Sequence, residues 1–503
     1  MYTDSKSAFK RFMDDETYER IKEFDSVSQM WAFCLKEYGE RIAVIDDGKE
    51  YTFSQLESDA AALRCTIGAQ EGARIGILAA NSYDFVKAFI AITTMGLTAV
   101  VLPAQLDAMT VFGCCMKFGL KGLVFQPALS EKTAVTAQKC PALPLIATDA
   151  PAEGSAPMKE VKGEDPCVIM FTGGTTGKSK GALLSNRAVM EGTVNSCYGL
   201  KNIFFQRYLL VLPLSHVFGL IRNLTASLYT GSTLFICRNT KDMFKDIAMF
   251  KPTVMVLVPA LAEMALMLSK KFGRNMLGED MRYIICGAAA VAPYLIKEYD
   301  RLGITLCPGY GLTESANLVS GNPDNLNRPD SVGIPYPNQE LKLVDGELWL
   351  KGKNIMTGYV GEEEPSFTED GWFRTGDLAR FDEDGFLYII GRIKEIIILA
   401  NGENVSPAEV EARFNELPFI QDSQVFATRN ENGAEILALE VVPRMPELAG
   451  IAPENIKSYI TEELEKVNKT LLPYQRVSRI TVRDTDFERT PSMKIVRYKY
   501  EQN

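Results

Sequence analysis

Seven short apolar runs, separated by segments with helical periodicity, constrain the fold of this 503-residue chain more than any other feature. The runs are continuous rather than alternating: ARIGILAA, TAVVLPA, RYLLVLPL, STLFIC, TVMVLVP, MRYIICGA and GITLCPGYG. Continuous apolar strands are typical of largely parallel sheets that helices cover on both faces. The pattern therefore predicts an α/β architecture. Because several runs end in Gly-, Pro- or Ser-containing loops, ligands are expected at the carboxyl ends of the strands.

The pattern changes after about residue 330, where alternating runs replace the continuous ones. QELKLVDGELWLKG has an Asp-Gly turn between two alternating segments, which is typical of a β-hairpin. FRTGDLARFDEDGFLYIIGR repeats this arrangement around Asp384-Gly385. We expect these hairpins to form a small β-barrel region at the end of the larger domain.

A smaller α+β region is predicted to follow. Ser406 to Glu409 form a capping box with Pro at the first helical position, which predicts a helix start. Its apolar face is Val410, Phe414 and Leu417, and a second amphipathic helix carries Ile456, Tyr459, Ile460, Leu464 and Val467. The sequence thus predicts an N-terminal domain over 1–391 and a mobile C-terminal domain over 392–503.

The composition is that of an ordinary globular protein, with 46% hydrophobic and 23% charged residues. The net charge of −10 argues against a general nucleic-acid binder and is explained by a solvated acidic surface. No two of the ten cysteines have C-x-x-C spacing, and the chain has a single histidine. A disulfide framework or a histidine-ligated metal site is therefore not expected.

The expected location is the cytoplasm, because scattered cysteines fit a reducing compartment. The first segment, MYTDSKSAFKRFMDDE, is polar and does not resemble a signal peptide. The most apolar stretch, AFIAITTMGLTAVVLPA, is too short and too interrupted by Gly and Pro to cross a bilayer. It is better explained as a buried helix that leads into a buried strand.

The segment FTGGTTGKSKGA, residues 171–182, is a candidate phosphate-binding loop directly after an apolar run. Glycine lets the backbone approach a phosphate closely, and Thr and Lys add hydrogen-bond donors. The pattern G-x-x-x-x-G-K-[ST] requires Gly at position 172, where this chain has Thr172. The loop is thus not a nucleotide loop of that type, and a Gly/Thr-rich surface turn is the alternative.

Five further segments accompany this loop in a fixed order. They are PLSHVFGL from 213, GYGLTES from 309, FRTGD from 373, GRIKEIIILANGENVSPAEVE from 391 and ERTPSMKIVR from 488. Together with the loop they closely resemble the signature series of the adenylate-forming superfamily of acyl-CoA synthetases, luciferases and peptide-synthetase adenylation domains. The resemblance extends from about residue 25 to 500.

The resemblance implies a two-step reaction. A carboxylate attacks the α-phosphate of ATP, pyrophosphate leaves, and the acyl-adenylate passes its acyl group to a thiol. The implied ligands are ATP, Mg²⁺, a small carboxylic acid, and coenzyme A or the phosphopantetheine arm of a carrier protein, with the chain a monomer or homodimer. Two anions that must meet need cations and N–H donors more than a protein nucleophile, which fits the absence of any Ser-His-Asp or Cys-His arrangement.

Residue by residue, the resemblance assigns the phosphates of ATP to the 171–182 loop. The expected contacts are Thr172, Gly173, Gly174, Thr175, Thr176, Gly177 and Lys180. Tyr310, with Gly311 beside it, would stack on the adenine, and Gly287, Ala288 and Ala289 would form another wall of that slot.

The same resemblance implies roles for five polar residues. Thr313 would touch the α-phosphate, Glu314 would hold Mg²⁺, and Asp377 would bind the ribose hydroxyls with support from Arg392. Lys494 would reach the α-phosphate and the attacking carboxylate. Ordinary alternatives are that Tyr310 is a core residue, that Glu314 caps a following helix and that Asp377 belongs to a simple turn.

The resemblance also implies that the C-terminal domain rotates between the two half-reactions. Lys394 in GRIKE would be the hinge, and Gly402 in ANGEN would line a pantetheine tunnel.

Three positions depart from the family pattern. Gly173 replaces a Ser and Ser179 replaces a Pro, which predicts a looser loop and weaker ATP binding. Met493 stands where Gly is usual before the catalytic Lys494. If that position requires φ > 0, Met carries a steric cost and slows adenylation, so Met493→Gly should release pyrophosphate faster.

The acid itself is predicted from PLSHVFGL and its surroundings. Amino-acid-activating relatives have an Asp there, and this chain has none, so a fatty or aromatic acid is expected. The expected acyl pocket comprises His216, Val217, Phe218, Gly219 and parts of 259–267. His216 could instead be a core histidine. Arg222 could pair with a second carboxylate of a dicarboxylic substrate, or be a structural arginine with protein partners.

The sequence leaves three other functions open. The acceptor could be a carrier protein rather than coenzyme A, since both present the same thiol arm. Met493 prompts a non-catalytic acyl-adenylate binder, although Lys494, Glu314 and Asp377 argue against it. An NTPase is disfavoured by the failed loop pattern and would make ADP without any acid.

Overall fold

The computed structural model describes residues 5–68, 71–172, 180–361, 367–399, 403–429, 435–489 and 495–497. A large N-terminal α/β domain precedes a smaller C-terminal domain, as the sequence predicts. The seven apolar runs all form strands, and each pairs in parallel with at least one neighbour.

The strands are numbered in chain order. The first fifteen are β1 Ile42–Asp46, β2 Lys49–Thr52, β3 Arg74–Leu78, β4 Thr98–Leu102, β5 Gly122–Phe125, β6 Leu145–Ala147, β7 Pro166–Phe171, β8 Gly181–Ser185, β9 Arg207–Leu210, β10 Thr233–Ile236, β11 Val254–Leu257, β12 Tyr283–Cys286, β13 Thr305–Tyr310, β14 Ser320–Gly321 and β15 Ile334–Pro335. The remainder are β16 Gln339–Val344, β17 Glu347–Gly352, β18 Gly358–Tyr359, β19 Phe373–Phe381, β20 Leu387–Arg392, β21 Ile397–Ile398, β22 Asn404–Val405, β23 Ile420–Arg429, β24 Glu435–Pro443 and β25 Arg479–Val482.

The helices are α1 Ser5–Lys10, α2 Asp15–Arg20, α3 Val27–Tyr38, α4 Phe53–Ile67, α5 Tyr83–Thr93, α6 Ala108–Lys117, α7 Ala134–Lys139, α8 Asn186–Asn195, α9 Val217–Gly219, α10 Ala226–Tyr229, α11 Met243–Phe250, α12 Pro259–Phe272, α13 Pro293–Arg301, α14 Pro407–Asn415 and α15 Ile456–Thr470. A π-helical segment, Leu220–Thr225, joins α9 to α10 without a break. Short 3₁₀ turns are Pro127–Thr133, Thr240–Asp242, Thr313–Ser315, Ile393–Glu395, Met445–Leu448, Pro453–Asn455 and Pro473–Gln475.

Two large sheets form the N-terminal domain. One has the order β15-β14-β13-β12-β11-β9-β10-β1-β2, and the other β18-β8-β7-β4-β3-β5-β6. Their central strands are parallel, and antiparallel strands lie at the edges. Every residue of β4 is buried, as expected for a strand covered on both faces.

The stretch AFIAITTMGLTAVVLPA leads from helix α5 into strand β4, as predicted. The Ser82 side chain caps α5 by accepting from the Phe85 N–H. Nearly all of α5 is buried, so its apolar character is explained by core packing. In the described part of the chain, no helix has the length and hydropathy that a bilayer crossing requires.

The two predicted hairpins are confirmed. β16 pairs with β17 through Asp345 and Gly346, both with positive φ, and β19 pairs with β20. The four strands form one antiparallel sheet, in the region that the sequence predicts as a small β-barrel. The Asp377–Arg392 register pair lies in this sheet.

The C-terminal domain contains the two predicted helices. The Ser406 side chain accepts from the Glu409 N–H at 3.4 Å and caps α14, and α15 buries Ile460 and Leu464. These helices cover a three-stranded sheet of β23, β24 and β25.

The C-terminal domain contacts the N-terminal domain through a group of polar side chains. Arg444 Nη2 donates to the Tyr294 hydroxyl at 2.7 Å and lies 3.5 Å from Glu263. Lys270 Nζ lies 3.3 Å from Glu447 and 3.1 Å from Glu298. Charged groups therefore contribute to this contact.

Candidate active site

Tyr310, Asp377 and Arg392 are brought together where the nine-stranded sheet meets the four-stranded sheet. We call this group the nucleotide end, after the nucleotide-binding role that the sequence predicts for it. Tyr310 is the last residue of β13, and its hydroxyl donates a short hydrogen bond to Asp377 Oδ2. Arg392 Nε lies 2.8 Å from Asp377 Oδ1. The three residues, distant in sequence, form one connected hydrogen-bonded group.

Asp377 is only 2% exposed, yet both of its oxygens contact donors. Its backbone N–H donates to Thr375 Oγ1 at 3.0 Å, and Thr375 Oγ1 donates to the Leu348 carbonyl. The side chain is thus oriented before any ligand binds. A buried carboxylate with fixed geometry is suited to accepting hydrogen bonds from two hydroxyl groups of a ribose.

Burial raises the pKa of Tyr310 well above its usual value, and the Asp377 charge and hydrogen bond raise it further. Tyr310 therefore remains a neutral donor at physiological pH. Burial opposes the charge of Arg392, but the negative charges of Asp377, Glu395 and Glu314 outweigh it and raise the pKa of Arg392. Tyr310 thus stays neutral and Arg392 stays charged across the physiological range.

The loop after Tyr310 requires glycine at position 311. A Cβ there would lie 1.5 Å from the Asn317 carbonyl oxygen, which no side chain can tolerate. The chain can therefore fold back on itself directly after Tyr310. This tight return presents Thr313 and Glu314 beside the nucleotide end.

Glu314 lies in the 3₁₀ turn Thr313–Ser315, and the interpretation of Glu314 as a helix cap is wrong. No helix follows, because Ala316 and Asn317 adopt positive φ values of 47° and 77° and end the turn. The Glu314 carboxylate accepts from the Tyr359 hydroxyl instead.

Tyr359 links Glu314 to the candidate phosphate loop. The Lys180 Nζ lies 4.7 Å from the centre of the Tyr359 ring, a cation–π distance. Thr172 N–H donates to the Lys180 carbonyl at 2.9 Å, so both ends of the loop are fixed where β7 meets β8. Gly173, Gly174, Thr175, Thr176, Gly177 and Ser179 lie outside the described residues.

The wall of Gly287, Ala288 and Ala289 follows β12 directly. Ala288 has φ of 67°, a conformation that is unfavourable for a residue with a side chain. A Cβ at Gly287 would lie 3.3 Å from the Gly309 carbonyl oxygen and 3.5 Å from the Phe218 ring. Gly287 thus borders both β13 and the predicted acyl pocket.

His216 caps the short helix α9. Its Nδ1 accepts from the Phe218 N–H at 3.3 Å, which places the ring proton on Nε2. The ring is half-buried, so the interpretation of His216 as an enclosed core histidine is not confirmed. Asn81 holds the preceding loop by donating to the Leu212 carbonyl and accepting from the Leu214 N–H, each at 2.9 Å.

Val217, Phe218 and Gly219 are all buried in the first turn after His216. A Cβ at Gly219 would lie 2.2 Å from the Pro213 carbonyl oxygen, so a side chain there would displace the loop that carries His216. Sequence reasoning missed Tyr359 and Asn81, whose partners lie far away in the chain. No local pattern identifies either residue.

Lys394 is exposed in the 3₁₀ turn Ile393–Glu395, directly after Arg392. Gly402, Met493 and Lys494 lie outside the described residues. Their suggested roles stay predictions.

The donor set fits magnesium with a nucleotide better than a metal held by protein alone. In the described residues there is no cluster of three or more His, Cys, Asp or Glu side chains that could hold a metal ion. Mg²⁺ in nucleotide sites typically takes one or two carboxylates together with phosphate oxygens and water. Glu314, beside the ends of the candidate phosphate loop, can supply such a carboxylate.

Comparison with known families agrees with this fold and arrangement. Residues 31–360 match the AMP-binding enzyme family, and residues 394–503 match the AMP-binding enzyme C-terminal domain. The chain therefore belongs to the AMP-binding enzymes, the adenylate-forming class that the signature segments predict.

Among curated proteins, the chain is 32% identical over 377 residues to 4-coumarate--CoA ligase-like 6 of Arabidopsis thaliana, which is 68% of this chain and 63% of that protein. It is 34% identical over 312 residues to the long-chain-fatty-acid--CoA ligase of Salmonella typhimurium (strain LT2), which is 58% of this chain and 55% of the relative. The matches thus span less than two thirds of these relatives' length.

Solved structures share the fold across both domains. The anthranilate CoA ligase AuaEII in complex with anthranoyl-AMP superimposes with a TM-score of 0.83 at 21% identity, covering 95% of this chain and 96% of that one. The o-succinylbenzoate coenzyme A synthetase of Bacillus subtilis, in complex with ATP and magnesium ion, gives 0.76 at 24% identity, covering 93% and 98%.

Proposed function

We propose that this protein activates a carboxylic acid with ATP and transfers the acyl group to the thiol of coenzyme A. An oxygen of the acid forms a bond to the α-phosphorus of ATP, the bond to the β-phosphate oxygen breaks, and pyrophosphate leaves. The thiol sulfur then bonds to the acyl carbon, the thiol proton is released, and AMP leaves.

The nucleotide end carries this proposal. Asp377, buried and oriented by Tyr310 and Arg392, is suited to a ribose, and the Tyr310 ring ends the strand beside it. Glu314, held by the Tyr359 hydroxyl, would supply a carboxylate to magnesium, while Lys180 and Thr172 fix the two ends of the candidate phosphate loop. On the other side of Gly287, Phe218 and Val217 provide an apolar lining for an acyl group.

We further propose that the two domains divide at Gly391–Arg392 and that Lys394 is the hinge. Lys494 would supply positive charge to the α-phosphate and the attacking carboxylate during the first step. The family membership and the CoA ligases among the relatives support coenzyme A as the acceptor.

The test is product analysis with purified protein, ATP, Mg²⁺ and a panel of acids. We expect AMP and pyrophosphate only when an acid is present, and a thioester only when coenzyme A is added. ADP without an acid would overturn the proposal in favour of an NTPase. If the adenylate forms but reacts only with a carrier-protein arm, that arm and not coenzyme A is the acceptor.

Lys494→Ala sharpens this test, because it should abolish pyrophosphate release while leaving the protein folded. Lys469→Ala is the matched control, since Lys469 lies exposed in the last turn of α15. Equal activity of the two variants would remove Lys494 from the mechanism. No pyrophosphate from the wild-type protein with any acid would favour a non-catalytic binder.

A further inference from the structure

Arg222 is a buried cation without the partners that buried cations normally have. It is 2% exposed, and neither Nε nor Nη1 has a hydrogen-bond partner. Within the described part of the chain, no ion pair includes Arg222. Buried guanidinium groups are ordinarily paired and fully hydrogen-bonded, because removing a charge from water is costly.

Arg64 shows what a structural arginine looks like in the same domain. It is also fully buried, but its Nε donates to the Ala156 carbonyl at 2.8 Å and its Nη1 to Thr94 Oγ1 at 2.9 Å. Its Nη2 forms a short ion pair with Glu57. The interpretation of Arg222 as a partnered structural arginine is therefore not confirmed.

The groups around Arg222 are neutral. The positive charge of Arg222 lowers the pKa of four nearby side chains: Tyr208, Tyr336, Cys197 and Cys307. Burial nevertheless raises the pKa of Cys197, Cys307 and Tyr336 to about 12 each, because the effect of burial is larger than that of the Arg222 charge. The Tyr208 hydroxyl is buried beside Arg222, is neutral, and has no hydrogen-bond partner of ordinary geometry. None of these side chains can neutralise the guanidinium.

The position of Arg222 in the fold places it at the far end of the predicted acyl pocket. It follows Phe218 by four residues in the continuous helix of α9 and the π segment, about 6 Å along the axis. The Phe218 ring lies beside Gly287, which in turn borders Gly309 of β13. The Arg222 charge lowers the pKa of Cys307, which precedes Gly309 by two residues in the same strand.

Cys307 has intermediate exposure, although it lies between Leu306 and Pro308, both of which are buried. An acyl chain that extends past Phe218 along the helix would meet the Arg222 guanidinium. We call this position the deep end of the predicted acyl pocket.

We propose that Arg222 binds a second carboxylate at the distal end of the acid, so that the substrates are dicarboxylic acids. This inference rests on the proposed ligase function and names its substrate class. One carboxylate would be activated at the nucleotide end, and the other would accept hydrogen bonds from Nε and Nη1 in a fork geometry that a guanidinium provides.

The test compares succinate, glutarate, adipate, pimelate, suberate and terephthalate, each beside its monomethyl ester and the matching monocarboxylic acid. The readout is pyrophosphate release by the full-length protein with ATP, Mg²⁺ and coenzyme A. For at least one chain length we expect the free diacid to exceed its monomethyl ester by about 100-fold in kcat/KM, because a site built for a charged group rejects its neutral analogue. Equal activity of diacid and ester at every length overturns the inference from the wild-type protein alone.

Arg222→Met should abolish that preference and raise the relative activity with monocarboxylic acids, while KM for ATP stays unchanged. Arg222→Lys should keep part of the preference, since it keeps the charge and loses the fork. Arg207→Met, at a half-buried arginine of β9 that pairs with Asp280, is the matched control and should leave the preference intact. If Arg222→Met still prefers the diacid over its monomethyl ester, another group binds the second carboxylate and the inference is wrong. If no acid of any kind yields AMP, the proposed function itself fails, which is a different result from a ligase that prefers monocarboxylic acids.

Discussion

At the nucleotide end, Asp377 is buried with its charge balanced by Arg392 and with a hydrogen bond from Tyr310, whereas at the deep end Arg222 is buried with Nε and Nη1 unpartnered. The first arrangement is preorganised, so the proposed nucleotide would bind with little rearrangement. The second leaves a cation whose burial is unfavourable without an anion. Under the two proposals, the first site would orient its ligand and the second would select it.

The largest effect is expected from the nucleotide end. Asp377→Ala removes the acceptor for two hydroxyl groups and leaves Arg392 without its partner, so kcat/KM for ATP should fall by about 100- to 1000-fold. Pyrophosphate release at varied ATP concentration measures this. Asp370→Asn, at an exposed carboxylate before β19, should change little. If both variants have the same KM for ATP, Asp377 does not bind the nucleotide.

A smaller effect is expected on stability, and it compares the two buried arginines directly. Arg64→Met breaks a buried ion pair and removes the guanidinium donors to Glu57, Thr94 and the Ala156 carbonyl, which should cost about 2–4 kcal/mol in the N-terminal domain. Arg222→Met removes an unpaired charge and should leave the protein as stable as the wild type, or more so, without substrate.

Urea denaturation followed by tryptophan fluorescence measures both variants, since Trp31 donates to Glu57 beside Arg64. A loss of stability in Arg222→Met as large as that in Arg64→Met would show that Arg222 has protein partners, as Arg64 does, and would contradict the contrast between the two arginines.

The smallest effect is expected at the contact between the domains. Burial raises the pKa of Glu263, and the nearby Asp422 adds to this, although Arg444, Tyr294 and Arg489 act in the opposite direction. Docking therefore favours protonated Glu263. As the pH falls from the raised pKa toward the ordinary value near 4.5, the docked arrangement should become more populated, by a few-fold at most.

Fluorescence energy transfer between labels on the two domains, measured from pH 8 to pH 5, tests this sign. Glu263→Gln should reduce the pH dependence of the energy transfer. Because burial also raises the pKa of Asp422, a smaller pH dependence of the same sign should remain in this variant. Transfer that decreases on acidification in the wild-type protein would contradict the prediction.

Much of this molecule follows from local sequence. Continuous apolar runs became parallel strands, Asp-Gly turns became hairpins, and the Ser406 side chain caps α14, because each depends on neighbours within a few residues. The error at Glu314 has the same origin. Nothing local shows that Ala316 and Asn317 take positive φ, since the fold of Gly311 against Asn317 imposes it.

The sequence by itself determined the family and the order of the domains, because those depend on residue types at fixed spacings. Only the tertiary structure brought Tyr359 between Glu314 and Lys180, and Asp377 between Tyr310 and Arg392. It also decided that Arg64 has partners for every nitrogen of its guanidinium, whereas Nε and Nη1 of Arg222 have none. The physical reason is that burial and pairing depend on which distant segments surround a side chain, and a charge costs nothing until the fold removes it from water.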